Sequence, residues 1–475
     1  MIDIRMEITR KRIEDIKERG PAGGFEIPAE RCVPLTPFLK DSPVICEIKR
    51  CSPSKKDIDL MLNPLKTATR YRDAGIRNLS VLTEENYFRG SLKDLQDVKA
   101  LYPDLAVLRK DFLVDVRDIE ISYLFGADAV LLITSLLSTE KLKAMYEKAV
   151  ELGMTPLVEI HDEADAAKAT VVKPALVGIN SRNLKTFQID PMTPLRIRTL
   201  INWETSVIYE SGVLERADGE FVAGTGFEGV LVGEAAVKNP DFPGILLDCF
   251  NHRKENEKKY GFWKRLYQGF TYAKPLIKIC GITKKDDFDK VVSLGADMAG
   301  FILAESPRKT NREFIETCID DNILKVGVVV LKAGLPLPDE IIKMLEDGVL
   351  HAIQFHGEET AEQIGGITGY KAFRLKGMQD IERMSSYPSR AKLIDAFSPA
   401  AHGGTGKQID PSLVNRVSEK GTLWLAGGLN PENIKGILNR FKPELIDISS
   451  GVELSPGVKD HTKLDQLFEK AAFYE

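Results

Sequence analysis

The amino-acid sequence predicts an α/β protein built from two fused (β/α)₈ TIM barrels. Short apolar runs alternate with longer, charged, amphipathic segments, and this alternation is typical of parallel sheets covered by helices. Eight strand–helix units fit into the first part of the chain, roughly 250 residues, and eight more into the last part, roughly 200 residues. The chain has 475 residues, which is too long for one ordinary hydrophobic core.

The apolar runs give the predicted strands. In the first series they lie at residues 43–49, 78–82, 105–109, 129–133, 155–160, 175–180, 206–210 and 229–233. In the second series they lie at residues 276–280, 298–303, 324–330, 350–354, 371–375, 392–395, 422–426 and 445–448. A single doubly wound sheet fits poorly, because no GxGxxG turn follows the first strand.

A basic, aromatic segment separates the two series. The stretch "CFNHRKENEKKYGFWKRLYQGFTYAKP" contains no clean strand and predicts a helical connector. We therefore predict a first barrel over residues 1–250, a connector over 251–275 and a second barrel over 276–475. We expect a monomer, because two fused barrels bury part of each other's surface.

Composition excludes several classes of protein. The net charge of −5 does not suit a nucleic-acid binder, and no apolar run reaches the ~18 residues that a membrane helix needs. The charged N-terminus predicts an amphipathic helix rather than a signal peptide. The six cysteines form no CxxC pair, so we expect neither a metal site nor a disulfide framework, and a reducing cytoplasm. We also expect no cofactor.

Polar residues cluster where the predicted strands of the first series end, the face that carries the chemistry of such barrels. They are Glu47, Lys49, Lys110, Glu159, Asn180, Arg182, Glu210, Ser211, Gly212, Gly233 and Glu234. One such charge alone would be an ordinary solvent-exposed group, but several on one rim are costly without a ligand. Lysines beside carboxylates suit proton transfers around a carbonyl, and the glycines suit a phosphate.

The second series ends in a different set of residues. They are Cys280, Arg308, His356, Asp395, Gly404, Gly427, Gly428, Ser450 and Gly451. Cys280 alone would be an inert buried thiol, yet a thiolate facing Asp395 across the barrel mouth makes a base and an acid. His356 is either a structural histidine or a substrate contact, and Arg308 either binds substrate or phosphate or forms a surface ion pair. The residues thus indicate two barrels that handle phosphosugars by acid–base chemistry.

These motifs also resemble two known families. The stretches "EIKRCSPS", "LTEENYFRGSLKDL", "LRKDF", "LVEIHDE", "GINSRNL", "YESG" and "GVLVGEA" are similar, in order, to indole-3-glycerol phosphate synthase. The stretches "KICGIT", "GFILAESPR", "IQFHG", "GGTGK", "LAGGL" and "DISSGVELSPGVKD" are similar to N-(5′-phosphoribosyl)anthranilate isomerase. The whole chain resembles the fused tryptophan-biosynthesis enzymes of bacteria.

The resemblance implies a carboxy-lyase in the first barrel and an isomerase in the second. It makes Cys280 the general base and Asp395 the general acid of an Amadori rearrangement, and Lys110 the acid of indole ring closure. The resemblance assigns the remaining proton transfers to Glu47, Glu159 and Lys49, and it leaves open which residue performs which transfer. It implies that Asn180 and Glu210 orient the substrate and the lysine. The resemblance also implies that Ser52, Ser211, Gly212 and Gly233 lie near phosphate, and that Phe88, Arg182 and Glu234 contact substrate.

Two other functions remain possible at this point. One is a fusion of other phosphosugar barrels, such as the histidine-pathway isomerase, which uses a pair of aspartates at its strand ends. The other is a metabolite-binding protein without catalysis, which would lack some of the residues at the strand ends. The sequence has Glu47 with Lys49 and Cys280 in these places, and no gap among them.

Overall fold

The computed structural model describes residues 4–40, 42–51, 58–183, 187–387, 389–396, 411–418 and 421–472. The chain divides into two compact units, residues 1–264 and 265–475. The division falls inside one helix, Arg253–Gln268. Each unit contains a closed barrel of parallel strands, so the predicted fold of two (β/α)₈ barrels is confirmed.

The first barrel is closed by hydrogen bonds between β8 and β1. Its strands are β1 Val44–Ile48, β2 Asn78–Leu82, β3 Ala106–Lys110, β4 Ala129–Ile133, β5 Thr155–Ile160, β6 Leu176–Asn180, β7 Ser206–Glu210 and β8 Gly229–Val232. Each lies within two residues of a predicted strand, because a fully buried strand is a short apolar run in the sequence.

The interior of the first barrel is apolar below its rim. Ile45 packs there with Leu108, Leu131 and Leu157, which lie on β3, β4 and β5. Because alternate residues of a strand face the same side, Glu47 continues the inward face that Ile45 begins. The apolar layer therefore pushes the polar side chains to the carboxyl ends of the strands.

The helices of this unit cover the strands and shape the rim. They are α1 Ile4–Arg19, α2 Pro64–Asp73, α3 Leu92–Leu101, α4 Val116–Leu124, α5 Thr139–Glu151, α6 Glu163–Val172, α7 Thr193–Arg198, α8 Arg216–Gly224, α9 Glu234–Lys238 and α10 Phe242–Asn251. Helix α11, Arg253–Gln268, leads into the second unit. Several begin at a side chain that accepts a backbone N–H, as Asn63 does for α2 and Asp162 for α6.

Helix α1 is fixed against the loop that follows β2. The hydroxyl of Tyr87 donates to Glu7 at 2.8 Å, and Asn86 Nδ2 donates to Asp15 Oδ2 at 2.7 Å. The buried carboxylate of Glu84 accepts the backbone N–H groups of residues 86–88. These contacts hold the loop and the helix together at the mouth of the first barrel.

The second barrel is closed by pairing of β16 with β9. Its strands are β9 Leu276–Cys280, β10 Met298–Ile302, β11 Leu324–Val329, β12 Ala352–Phe355, β13 Gly369–Leu375, β14 Lys392–Ala396, β15 Trp424–Ala426 and β16 Leu445–Ile448. A hairpin of β17, Glu453–Ser455, and β18, Val458–Lys459, follows the last strand of the barrel. An apolar layer of isoleucines, valines and phenylalanines separates this barrel from its helices.

The helices of the second unit are shorter on average than those of the first. They are α12 Lys285–Ser293, α13 Arg312–Thr317, α14 Asp339–Glu346, α15 Ala361–Ile364, α16 Met378–Ser386, α17 Pro411–Ser418, α18 Ile434–Phe441 and α19 His461–Lys470. Across the described part of the chain, no helix has both the length and the apolar character that crossing a bilayer requires.

Candidate active sites

A cavity opens at the carboxyl ends of the first eight strands. Among its lining residues are twelve that the sequence singles out: Glu47, Lys49, Phe88, Lys110, Glu159, Asn180, Arg182, Glu210, Ser211, Gly212, Gly233 and Glu234. Ser52 lies outside the described residues. Ile8 of α1 also lines the cavity, a contact that was not predicted from the sequence.

Lys110 stands between two carboxylates in the lining of this cavity. Its Nζ donates to Glu210 Oε2 at 3.0 Å and to Glu159 Oε2 at 3.3 Å. The neighbouring Arg109 points to the other side of β3, where it is buried and donates to Asp111 Oδ2 at 2.9 Å. Alternation along the strand thus assigns Lys110 to the cavity and Arg109 to the packing beneath the helices.

The charges of this cluster follow from the contacts. Burial disfavours an ammonium, but Glu210, Glu159 and Glu47 outweigh it and raise the pKa of Lys110. Burial also opposes ionisation of Glu159, yet Lys110 and His161 hold its pKa below the ordinary value. Burial, together with the nearby Glu159 carboxylate, raises the pKa of Glu210 despite the contact with Lys110. Lys110 is therefore an ammonium at neutral pH, and the two glutamates differ in their affinity for a proton.

Glu47 and Lys49 form a second ion pair on the same rim. Lys49 Nζ contacts Glu47 Oε1, and both side chains line the cavity. The pair has room because residue 233 is glycine: a Cβ there would lie 2.6 Å from Glu47 Oε1 and 3.0 Å from Lys49 Nζ. A similar space exists at Gly178, where a Cβ would overlap Glu210 Oε1. Gly178 was not predicted from the sequence, because a glycine inside an apolar strand carries no chemical signal of its own.

The backbone after β7 has an unusual conformation beside the charged cluster. Ser211 and Gly212 both have positive φ, 68° and 75°, and a non-glycine residue in this region carries strain of order 1 kcal/mol. Ser181 Oγ donates to the Ser211 carbonyl at 3.0 Å and holds the turn in place. The turn lines the same cavity as Gly233 and Arg182, a set of residues suited to an anionic group.

A second cavity lies at the carboxyl ends of β9–β16. Eight of the residues predicted from the sequence line it: Cys280, Arg308, His356, Asp395, Gly427, Gly428, Ser450 and Gly451. Gly404 lies outside the described residues. Cys280 and Asp395 therefore face one cavity.

The Cys280 thiol is buried and closely packed. Gly300 on β10 makes space for it, since a Cβ at that position would lie 2.7 Å from Cys280 Sγ. Burial raises the pKa of the Cys280 thiol, while the ammonium groups of Lys278 and Lys459 favour the thiolate. Lys459 also donates to the Cys280 carbonyl at 2.6 Å and to the Ser449 carbonyl at 3.2 Å. The hairpin lysine thus fixes the strand ends that carry the thiol and the serine turn.

Asp395 has a histidine as its neighbour. His356 Nε2 lies 3.1 Å from Asp395 Oδ2, at ion-pair distance but without the alignment of a hydrogen bond. The other ring nitrogen, Nδ1, lies 3.4 Å from Gln354 Nε2. His356 therefore contacts the predicted acid and lines the cavity at the same time.

Arg308 belongs both to the cavity and to an ion pair. Its Nε and Nη2 donate to the two carboxylate oxygens of Glu453 at 2.9 Å and 2.7 Å. Glu453 also accepts from Lys459 at 3.0 Å, so the hairpin that follows β16 holds the arginine at the rim. From the sequence, Arg308 could either contact substrate or form an ion pair; the structure shows the ion pair with Glu453, and the arginine also lines the cavity.

Glycines shape the backbone on the far side of this cavity. Gly427 and Gly428 both have positive φ, and a Cβ at Gly451 would overlap the Leu429 carbonyl. Ser449 Oγ is buried and has no hydrogen-bond partner among the described residues. Backbone N–H groups in such a concave, glycine-rich turn suit an anion. In the described parts of both units, no group of three histidine, cysteine or carboxylate side chains is arranged to hold a metal ion.

Comparison with known proteins assigns each barrel to a family. A family model described as indole-3-glycerol phosphate synthase matches residues 32–245, and one described as N-(5′-phosphoribosyl)anthranilate (PRA) isomerase matches residues 277–470. An indole-3-glycerol phosphate synthase of Bacillus cereus is 39% identical over 216 residues, which are 45% of this chain and 85% of that protein. The chain belongs to both families. The synthase barrel comes first and the isomerase barrel second.

Longer relatives are similar to this chain over most of its length. A multifunctional tryptophan biosynthesis protein of Phycomyces blakesleeanus is 30% identical over 496 residues, which cover 91% of this chain. The present chain spans 63% of the length of that relative. A crystal structure of phosphoribosyl anthranilate isomerase from Thermotoga maritima is 33% identical and covers 42% of this chain and 98% of its own, with a TM-score of 0.38.

Proposed function

We propose that this chain is a bifunctional enzyme of tryptophan biosynthesis that performs two consecutive reactions. The isomerase barrel converts N-(5′-phosphoribosyl)anthranilate into 1-(2-carboxyphenylamino)-1-deoxyribulose 5-phosphate. The synthase barrel converts that product into indole-3-glycerol phosphate, with release of one CO₂ and one water. The barrels thus stand in the chain in the reverse order of the reactions.

One observation carries the proposal: in each barrel, proton donors and acceptors share a cavity with a glycine-lined turn of backbone. In the first, Lys110 lies within 3.3 Å of two carboxylates beside Ser211 and Gly212. In the second, Cys280 and Asp395 share the cavity with Gly427 and Gly428. A phosphorylated ketose or aldose needs both halves of such a site, an anion cradle and an acid–base pair.

In the isomerase barrel the reaction is an internal redox exchange carried by proton transfers. Asp395 gives a proton to the ring oxygen of the ribose, which opens the sugar and leaves a protonated imine. The Cys280 thiolate then removes the proton from the adjacent carbon, and the enamine that forms rearranges to the ketone. Lys278 and Lys459 favour the thiolate that this step requires.

In the synthase barrel the aromatic ring closes on the ketone. Lys110 is charged and lies in the cavity, so it has a proton to give to the ketone oxygen as the carbon–carbon bond forms. The carboxyl group leaves as CO₂, and the hydroxyl group leaves as water. Glu47, Glu159 and Lys49 exchange the remaining protons, while Asn180 and Glu210 orient the substrate and the lysine.

We further propose that the protein acts on these phosphorylated small molecules as a monomer in the cytoplasm. The six cysteines support a reducing compartment, because each of them is a free thiol. Each barrel has its own anion cradle, and this supports release of the intermediate by one site and capture by the other.

The proposal is tested by a fluorescence assay that follows loss of phosphoribosylanthranilate and appearance of indoleglycerol phosphate. We expect Cys280→Ala to lower the isomerase rate and Lys110→Ala to lower the ring-closure rate, each by about 10²–10⁴-fold. Each variant is the control for the other, because the untouched barrel reports on correct folding. Ring closure is measured on the isolated ketose, so that loss of the first reaction does not hide the second.

Other results would favour the alternatives. A wild-type chain that binds either phosphosugar but turns over neither would be a metabolite-binding protein. A chain that isomerises a histidine-pathway aminoaldose, and not the anthranilate compound, would be a fusion of other phosphosugar barrels. Retention of both activities in both variants would show that the assigned roles of Cys280 and Lys110 are wrong.

A further inference from the structure

His161 is a buried ionisable group that the proposed reaction does not use. It follows the last residue of β5, and only 7% of its side chain is exposed. Its Nε2 lies 2.9 Å from Glu159 Oε1, at ion-pair distance but without the alignment of a hydrogen bond, and its Nδ1 lies 3.3 Å from Asp165 Oδ2. The backbone N–H of His161 donates to the same Asp165 oxygen at 3.1 Å. The imidazole is thus enclosed between two buried carboxylates.

Asp165 is itself held rigidly in the first turn of α6. Its backbone N–H donates to Asp162 Oδ1 at 2.9 Å, in the contact that begins the helix. The side chain of Asp165 is buried. A continuous row of charged groups therefore runs from α6 to the cavity: Asp165, His161, Glu159, Lys110 and Glu210.

The two glutamates beside Lys110 differ in their surroundings. Glu159 has a cationic partner at each carboxylate oxygen, Lys110 at Oε2 and His161 at Oε1. Glu210 meets Lys110 with Oε2 only, and its Oε1 is buried without a donor among the described residues, while its carboxyl group contacts that of Glu159. A buried oxygen without a donor is costly unless it carries a proton. The geometry therefore favours ionisation of Glu159 and protonation of Glu210.

We propose that His161 is a positioning residue: as an imidazolium held by Asp165, it keeps Glu159 ionised and leaves the exchangeable proton of the carboxyl pair on Glu210. The inference deepens the proposed ring-closure function of the first barrel and rests on it. When Lys110 gives its proton to the ketone oxygen, Glu210 returns one to the amine and becomes a carboxylate. The proton released from the substrate in a later step restores the starting state.

The charged and titratable groups that face this row belong to several elements. Lys110 comes from β3, Glu210 from β7 and Glu47 from β1, while Asp165 comes from α6. Asn180 on β6 adds a neutral donor, 3.5 Å from Glu159 Oε1. His161 lies 2.9 Å from Glu159, nearer than Lys110 at 3.3 Å, and of these two cations it is the one whose charge can be lost between pH 6 and 10.

The first test uses the pH dependence of ring closure in His161→Gln, whose amide retains a hydrogen-bond donor but has no charge. At pH 7 we expect the kcat of the variant to fall by at least about tenfold, because loss of the cation raises the pKa of Glu159. The pKa of His161 is raised to about 9 by Asp165 and Glu159 despite its burial, so the wild type also loses the cation above that pH. The ratio of wild-type to variant kcat is therefore expected to approach 1 near pH 10.

Asp165→Asn provides a matched second variant. It keeps an oxygen for the backbone contact but removes the charge that holds the imidazole protonated. The imidazole of this variant should therefore lose its proton at a lower pH than in the wild type. Its kcat is expected to fall to that of His161→Gln at that lower pH. The isomerase rate of the second barrel, measured in the same samples, is the control for folding. A constant ratio of wild-type to His161→Gln kcat at all pH values would mean a merely structural role and would overturn the proposal.

A readout without catalysis separates this inference from the proposed function. Imidazole NMR of the full chain, with its six histidines, assigns the His161 signal by its loss in His161→Gln. We expect that signal to titrate well above 6.5, and titration near 6.5 would show that the imidazole is not held as a cation. If the wild type fails to close the indole ring, the proposed function is wrong, whereas normal ring closure with an unshifted His161 rejects only the positioning role.

Discussion

Lys278 Nζ lies 2.7 Å from Asp447 Oδ2 inside the second barrel, where the two residues stand opposite each other on β9 and β16. Lys278 is fully buried, and its Nζ also donates to Gln354 Oε1 at 2.7 Å. The lysine precedes Cys280 by two residues, so both side chains share the inward face of the strand. A buried ion pair thus lies beneath the thiol that we propose as the isomerase base.

Removal of this lysine is expected to destabilise the second unit. Lys278→Met leaves Asp447 buried without a cation, which costs about 3–5 kcal/mol when one partner of a buried pair is lost. Hydrogen exchange followed by mass spectrometry should show weaker protection of β9–β16, while the strands of the first unit keep theirs as an internal control. Unchanged protection in the second unit would contradict the prediction.

The double variant Lys278→Met with Asp447→Leu separates the pair from the packing around it. Both charges are then absent, and the stability is expected to recover to near the wild-type value or above it. The hydroxyl of Tyr370 still donates to Gln354 Oε1 at 3.0 Å, so this acceptor keeps a partner. A double variant as unstable as Lys278→Met would show that the lysine acts through packing instead of charge.

Gly233→Ala should impair ring closure without unfolding the barrel. The new Cβ would lie 2.6 Å from Glu47 Oε1, so the Glu47–Lys49 pair has to move. A displacement of about 1 Å at a catalytic group lowers rates by about 10²-fold, and we expect a loss of 10–100-fold in kcat. Gly244→Ala is the matched control, because a Cβ on that glycine of α10 meets nothing within 4 Å.

The corresponding change in the second barrel is Gly300→Ala. Its Cβ would lie 2.7 Å from Cys280 Sγ and would displace the thiol from its place beside Lys278. We expect the isomerase kcat to fall by about 10–100-fold while ring closure is retained. Gly436→Ala in α18 should leave both activities intact, since a Cβ there has open space. Equal isomerase rates in the two variants would mean that the thiol position is not critical.

Much of the fold was predictable from the sequence because buried parallel strands are short, continuous apolar runs. The same logic placed Lys110 and Glu159 on one rim, since parallel strands in a barrel end at the same face. For the same reason Cys280 and Asp395 line one cavity in the second barrel, although 115 positions separate them in the chain. The functional roles of these residues remain predictions that the variants above test.

The ion pairs that affect the charges of the site residues were not predictable in the same way. The contact between Lys278 and Asp447 depends on the register of β9 against β16, which no local pattern fixes. His161 lies one residue beyond its strand, and its role depends on the first turn of α6 bringing Asp165 against it. Such contacts depend on tertiary packing, whereas strand positions depend on local composition.

The isomerase rate should depend on pH through the ionisation of Cys280. Burial raises the pKa of this thiol above its ordinary value of about 9, so the thiolate is a minor species at neutral pH and increases as pH rises. Lys278 and Lys459 favour the thiolate, and Asp447 opposes it. A general base that must be ionised gives a rate that climbs with pH until its pKa is reached.

We therefore expect the kcat/KM of the isomerase to rise by about tenfold per pH unit between pH 6 and 8. Asp447→Asn removes an anion near the thiol and should move the rising limb to lower pH, whereas Lys278→Met removes a cation and should move it to higher pH. Both variants are measured at low temperature, where the weakened barrel of Lys278→Met stays folded. Ring closure in the same samples is the control.

The prediction would be contradicted if the pH at which the isomerase rate rises moved in the same direction in both variants, because the two substitutions remove opposite charges. A profile that is flat across this range would mean that the base is not a thiol with a raised pKa.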